Sequence, residues 1–384
     1  MSFSLTEDQL AIQDLVRKVA REKVAPRAHD IDRLAEYPQD MFDLLKEIGL
    51  FALPFPAEFG GMSSSLSACL AIEELVRVCY NTGYLLAVQW TPFGAIEAGG
   101  TQAQKDKYLR GLSTGEIRGA IAMTESQSGS DVAGIKTNAK LIGDGYLLNG
   151  SKIWCTGASI ADFILVAAKV KDDTPKGKIC LFFVNTDAKG LTIGKKEDKI
   201  GARGIPSCPL FLDDVLVPES ALLGSIEQGF KIVMQAMNTA RPLHAARGVG
   251  LAQGAIDLAA DFLSKRQAFG KKISEFQGLR WMLADMQIQT QAARSLVYQA
   301  ASMVDQGIQG NELAPFAAMS KCFATDTAMK VATDAVQLFG AAGISADYPI
   351  NRYMRDAKVL QIIEGTNQIQ RNIIADSLLG RVPK

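Results

Sequence analysis

One carboxylate stands apart by its neighbours. Glu364 lies in Gln361-Ile362-Ile363-Glu364-Gly365-Thr366-Asn367-Gln368-Ile369-Gln370-Arg371, after two isoleucines and before a glycine and a polar run. Burial beside Ile362 and Ile363 penalises the charged form and raises the carboxyl pKa, which suits a general base near neutral pH. Gly365 permits a sharp turn or the close approach of a flat ligand. The same string also fits a helix start in which Thr366 is the cap and Glu364 an ordinary loop acid. These residues alone leave both readings open.

Rival chemistry is scarce. The only histidines are His29 and His244, and neither sits in a nucleophile motif. The six cysteines form no Cys-x-x-Cys pair, so a zinc site or disulfide framework is not expected. Acid–base work therefore falls to a carboxylate. Other strings are suited to holding a ligand. Thr124-Glu125-Ser126-Gln127-Ser128-Gly129-Ser130-Asp131 offers hydroxyls, a glycine and backbone amides that could meet a planar heterocycle and a phosphate; it also fits a plain polar loop. Trp154 and Thr156 share a strand face by alternation, where Trp154 could equally be core. Arg266-Gln267-Ala268-Phe269-Gly270-Lys271 carries a guanidinium suited to paired phosphates, or a solvated basic helix end. Gly248-Val249-Gly250-Leu251-Ala252-Gln253-Gly254 only loosely matches a dinucleotide fingerprint and lies in a helical pattern with no strand before it, so close helix packing is expected there.

The elements that must position these residues fall into three stretches. Residues 1–118 read as helical: Thr6 with Gln9 makes a capping box, Ile12, Leu15, Val16 and Val19 recur at helical spacing, a second helix runs over Pro38–Ile48 to Gly49, residues 55–61 form a loop, and helical patterns resume over Ser65–Val78 and to Leu109. Residues 119–230 read as a small β-barrel domain, with a hairpin turning at Asn149-Gly150 and strands over Phe163–Val170, Ile179–Val184, Leu210–Leu212 and Val215–Pro218. Residues 231–384 read as a four-helix bundle, with long helices over Met234–Ala260, Leu279–Val304 and Pro315–Phe339, Pro315 in a first turn and Gly340 a terminator. The fold class is mainly α with a central β domain.

Taken in order, Asp347-Tyr348-Pro349, Arg355-Asp356-Ala357-Lys358 and Ile363-Glu364-Gly365-Thr366 resemble the C-terminal signature of the acyl-CoA dehydrogenases, and the likeness runs over essentially the whole chain. The resemblance implies a helix–β–helix fold, FAD as cofactor, and Glu364 as the base that takes the α-proton of an acyl-CoA while the β-hydride passes to flavin N5. It implies flavin contacts from Met123, Thr124, Gly129 and Ser130, with Ser126 where the family usually has proline. Trp154 is implied behind the ring and Thr156 near N5. Arg266, Phe269 and Gln277 would reach the cofactor of a neighbouring subunit, Gln337 and Gly340 would form a flavin-contacting turn, and Thr366 and Gln368 complete the set. Ala341 and Ala342 depart from the family's usual Gly-Gly-Asn-Gly. For the acyl-CoA, the resemblance implies Ser130, Thr91, Asn238, Arg241 and Gly365, with Asn238 where aspartate is common; Ala240 holds the position where some members place an alternative glutamate. Ile363 in place of a frequent tyrosine, with Trp90 and Phe93 near the pocket base, suggests a short, branched or alicyclic acyl group such as cyclohexane-1-carboxyl.

Composition bounds the rest. A chain of 384 residues, 48% hydrophobic, with 41 basic and 41 acidic residues, can bury a large core and lacks the basic excess of a nucleic-acid binder. The first residues show no leader pattern and no apolar run spans a bilayer, so an unprocessed, soluble, cytoplasmic protein (or a mitochondrial-matrix one in mature form) is expected. The resemblance further implies a homotetramer that passes electrons to an electron-transferring flavoprotein. An oxidase, a non-catalytic flavoprotein of the same fold, and a cofactor-free helical scaffold are the competing readings.

Overall fold

The computed structural model describes residues 5–171 and 177–380. Helix α1 (Glu7–Val19) opens on the expected capping box of Thr6 and Gln9. The chain then stays helical, through a π turn at Ala20–Val24 and a 3-10 turn at Ala25–Arg27, into α2 (Ala28–Leu34). Pro26 removes one backbone donor there, yet Val24, Ala28 and Ile31 are buried and tertiary packing holds the turns. After α3 (Gln39–Glu47), the apolar helices α4 (Ser65–Val76) and α5 (Tyr80–Gly99) form the centre of this part, flanked by α6 (Gln102–Thr114).

A seven-stranded mixed sheet follows: β1 (Gly119–Ala122), β2 (Asn138–Ile142), β3 (Gly145–Thr156), β4 (Phe163–Val170), β5 (Lys178–Asn185), β6 (Leu191–Ile193) and β7 (Ser207–Pro218). Its order is β1-β4-β2-β3-β7-β6, with β5 on the free side of β4, so the sheet curls without its end strands pairing. The hairpin turn is at Gly143-Asp144; Asn149-Gly150 lies inside β3. There the pairing with β7 slips, and the Asn149 amide donates to Asp214 Oδ1 (2.8 Å) and accepts from its backbone N–H (2.9 Å). Asn-Gly here makes a bulge braced across the sheet, since both sides of β3 have strand partners and a two-residue reversal has no room.

Three long helices return: α7 (Gly229–Lys265), α8 (Gln277–Asp305) and α9 (Gly310–Phe339). Between α7 and α8 lies a small hairpin, β8 (Gln267–Ala268) and β9 (Lys271–Lys272). The short α10 (Ala341–Ile344) leads to α11 (Ile350–Ile362) and α12 (Asn367–Leu379), which close the bundle against α9. Pro315 sits inside α9, not in its first turn, because the helix starts five residues earlier at Gly310. Gly340 does end it, at φ +59°. The glycines of α7 are packing residues: a Cβ at Gly254 would lie 2.1 Å from the Arg77 carbonyl oxygen and one at Gly250 2.4 Å from that of Glu73, so α7 crosses α4 at backbone contact. No helix among the described residues is long and apolar enough to cross a membrane.

Candidate active site

Glu364 occupies the joint between α11 and α12. It and Gly365 both take left-handed backbone conformations, φ +58° and +83°, and Thr366 caps α12 by accepting from Ile369 N (3.3 Å). Thr366 is therefore the cap, as the helix-start reading has it. Two buried side chains clamp the joint. Lys321 Nζ donates to Gly365 O and Asn367 Oδ1, both at 2.9 Å, and Gln370 Nε2 donates to Gly365 O (2.9 Å) and Glu364 O (3.3 Å). A left-handed non-glycine residue is strained and persists only where its surroundings fix it.

The carboxylate itself accepts no hydrogen bond from the described residues, and 29% of the side chain remains open. Burial raises its pKa, against the pull of Arg247, Lys321 and Arg241. The direction is the one expected from sequence, but the surroundings are not. Ile362 points outward at 55% exposure, and the enclosing groups are basic. His244, buried on α7, brings Nε2 to 3.5 Å from Glu364 Oε2. Burial and then the neighbouring Arg247, Lys321 and Arg241 hold His244 well below its usual pKa, so it is neutral. Arg247 Nη2 bonds its Nδ1. A guanidinium only donates, so Nδ1 is the acceptor and the ring proton sits on Nε2, facing the carboxylate. Arg241 is 1% exposed, donates to Asn238 Oδ1 (2.5 Å), and is lowered by burial to about 10. Burial brings Lys321 down to about 8. Sequence reading singled out Arg241 but not His244, Arg247 or Lys321. Steps of three place 241, 244 and 247 along one side of α7, which was the available signal.

A second cluster gathers the loop after β1 and the end of β3. Ile153 N donates to Thr124 O (2.9 Å), setting Trp154 beside Thr124. Trp154 has φ +60° and is 51% exposed, so it is not a core tryptophan; Cys155 between it and Thr156 is buried. Thr156 Oγ1 lies 3.2 Å from Ser207 Oγ. The loop is pinned by Glu125, which the sequence reading gave no role. Its carboxylate accepts from Lys152 Nζ (2.7 Å), Thr137 Oγ1 (2.6 Å), and the backbone N–H groups of Lys136 (2.6 Å) and Thr137 (3.0 Å). Burial alone would raise its pKa, but these donors bring it down to about 2.

Comparison with known proteins then decides the family. The N-terminal, middle and C-terminal domain models of acyl-CoA dehydrogenase match residues 6–116, 120–215 and 227–379. This chain belongs to the acyl-CoA dehydrogenases. It is 40% identical to an acyl-CoA dehydrogenase of Bacillus subtilis, over 98% of this chain and 99% of that one. It is 36% identical to the cyclohexane-1-carbonyl-CoA dehydrogenase of Geobacter metallireducens, over 98% and 99%. Butyryl-CoA dehydrogenase from Megasphaera elsdenii superposes with a TM-score of 0.94 at 37% identity, covering 99% of this chain and all of that one. As an acyl-CoA dehydrogenase the chain is an FAD-dependent oxidoreductase.

The residues present fit a flavin. A half-exposed tryptophan, two threonine hydroxyls and a loop whose Gly129 has nothing within 4 Å of a Cβ position give a flat aromatic ring a face to cover and donors at its edge. The remaining family motifs are elsewhere. Phe262 of α7 stacks on Phe339 of α9 at 4.2 Å, bringing Arg266–Gln277 and Gln337–Gly340 together at one end of the bundle. Gln277, Gln337 and Gly340 are exposed there, and Phe269, at φ +52°, is 94% exposed. Thr366 and Gln368 sit beside Glu364. On α5, Trp90 is buried with Nε1 on Phe51 O (2.7 Å), and the partly buried Phe93 packs on Phe55 at 4.3 Å. Thr91 Oγ1 donates back to Ala87 O (2.7 Å) within α5.

Proposed function

We propose that Glu364 is the base of this dehydrogenase, removing the α-proton of a short, branched or alicyclic acyl-CoA thioester. The carrying observation is a carboxylate raised by burial, open on one side, and held in a strained left-handed joint by Lys321 and Gln370. The Nε2 proton of His244 faces it at 3.5 Å without bonding it, while the three cations nearby keep it ionisable. No described residue accepts from the Glu364 backbone N–H, which leaves that donor for the thioester oxygen as charge builds there. Bound FAD supplies the acceptor for the β-hydrogen and its electron pair.

In this reading Met123, Thr124, Gly129, Ser130, Trp154, Thr156, Thr366 and Gln368 hold the flavin from one protomer. Arg266, Phe269, Gln277, Gln337 and Gly340 hold it from a neighbour in a homotetramer, which accounts for their exposure. Asn238 and Arg241 receive the CoA side, with Ser130, Thr91 and Gly365 along the thioester. Support for a compact acyl group comes from Ile363, from the bulk of Trp90 and Phe93, and from the 36%-identical cyclohexane-1-carbonyl-CoA relative. An electron-transferring flavoprotein takes the electrons, the bacterial relatives favour the cytoplasm, and 1–118, 119–230 and 231–384 are the three domains. The test is anaerobic mixing of the purified yellow protein with a panel of acyl-CoA thioesters. Bleaching by one thioester supports the reading, and a flavoprotein that none bleaches, or one unable to bind FAD, overturns it.

A further inference from the structure

The cationic wall of the site holds more charge than the base accounts for. Arg241, Arg247 and Lys321 are each no more than 1% exposed, and among the described residues none has a carboxylate within ion-pair distance. Lys321 is engaged in clamping the Glu364 joint, and Arg241 lies with Asn238 at the proposed CoA end. Arg247 orients His244, but that contact uses only one end of its guanidinium. Its Nη1 reaches the Tyr80 hydroxyl at 3.2 Å, its Nη2 reaches His244, and its Cζ lies 4.1 Å over the Tyr84 ring, but Nε has no partner. A fully buried guanidinium without a counter-ion is costly and is retained where something supplies one.

The helix gives the direction in which a ligand would run. Along α7, Asn238 and Arg241 come first, His244 meets the base, and Arg247 follows, each step of three residues advancing about 4.5 Å. A substrate with its CoA by Arg241 and its α-carbon by Glu364 directs the free end of its acyl chain toward Arg247, Tyr80 and Tyr84. A planar fork flanked by two phenol hydroxyls is the donor set for a carboxylate.

We propose that Arg247 anchors a second carboxylate at the far end of the acyl group, so that the substrate is the mono-CoA thioester of a short dicarboxylic acid of about four to six carbons. This rests on Glu364 being the base and narrows the compact acyl group given above. The experiment compares kcat/KM of the FAD-loaded enzyme on matched pairs: glutaryl-CoA against valeryl-CoA, and adipyl-CoA against hexanoyl-CoA. The carboxylated member of a pair is expected to lead by about 10²-fold or more. Arg247→Met should bring that ratio toward one, mainly through KM, and Arg247→Lys should keep part of it. A wild-type enzyme that prefers the uncharged members overturns the proposal, and this result needs no variant to fold. An unchanged ratio in Arg247→Met, with both members falling together, also overturns it, because it marks a purely structural arginine. Both results leave the base intact; no turnover of either set overturns the proposal, and failure of Glu364→Gln to lose turnover on whichever thioester bleaches the enzyme overturns the reading beneath it.

Discussion

A buried glutamate and a partly open one sit in opposite settings 239 positions apart in the sequence. Glu125 is surrounded by donors at hydrogen-bond distance, and its pKa falls to about 2. Glu364 faces more positive charge but accepts no direct bond from the described residues, and its pKa rises. Nearby charge therefore matters less than contact. A carboxylate whose lone pairs are occupied is fixed as an anion and becomes scaffold, while one kept just out of reach, with His244 at 3.5 Å, stays able to take a proton. The loop beside Trp154 needs the first kind, and proton abstraction needs the second.

The largest effect expected from breaking this contrast is at Glu364. Glu364→Gln should lower kcat by at least the roughly 10²–10⁴-fold of general-base catalysis, while flavin content and binding of a CoA ligand persist, as followed by stopped-flow bleaching and difference spectra. The pH profile sharpens the same point. The base works ionised, so kcat/KM should rise with pH through a limb above the ordinary glutamate range. Neutralising a nearby cation, as in Arg241→Met, should move that limb further up, since the cations oppose the shift.

At Glu125 the injury should be structural. Glu125→Ala leaves Lys152 buried without its counter-ion, at a cost of about 3 kcal/mol, seen as a lower Tm and loss of FAD on gel filtration. In stability the two carboxyls are opposite: ionising Glu364, whose pKa is raised, costs the fold, and ionising Glu125 supports it. Because its folded pKa is depressed to about 2, the stabilisation from Glu125 is complete above its ordinary pKa and is lost as pH falls from there toward about 2. Thermal melts across that window should show it in the wild type and not in Glu125→Ala. The smallest effect belongs to Thr366→Ala, which removes the α12 cap for about 1 kcal/mol in chemical denaturation and loosens the joint that carries the base.

The same contrast explains what the sequence made legible. Local signals were readable: the Thr6 capping box, the strand over Phe163–Val170, the stop at Gly340, and the isolated carboxylate before a glycine. Asn149-Gly150 misled because its turn preference is local, whereas its bulge is set by β7 on the other side of the strand. The partners of Glu364 come from α7 and α9, far away in sequence, and only folding shows that His244 and Arg247 share its chamber. Glu125 escaped notice because most of its donors arrive from Lys136, Thr137 and Lys152, 11 to 27 positions further along the chain.

The ring of Phe269, almost wholly bare at the tip of a two-stranded hairpin, has a consequence for handling the protein. Ile344, Leu378 and Leu379 are likewise uncovered, at 81%, 78% and 87%. A single copy of the chain thus carries adhesive spots into solution. Highly diluted samples should be lost to vessel walls and air–water interfaces faster than concentrated ones, and an inert carrier or mild detergent should prevent that loss.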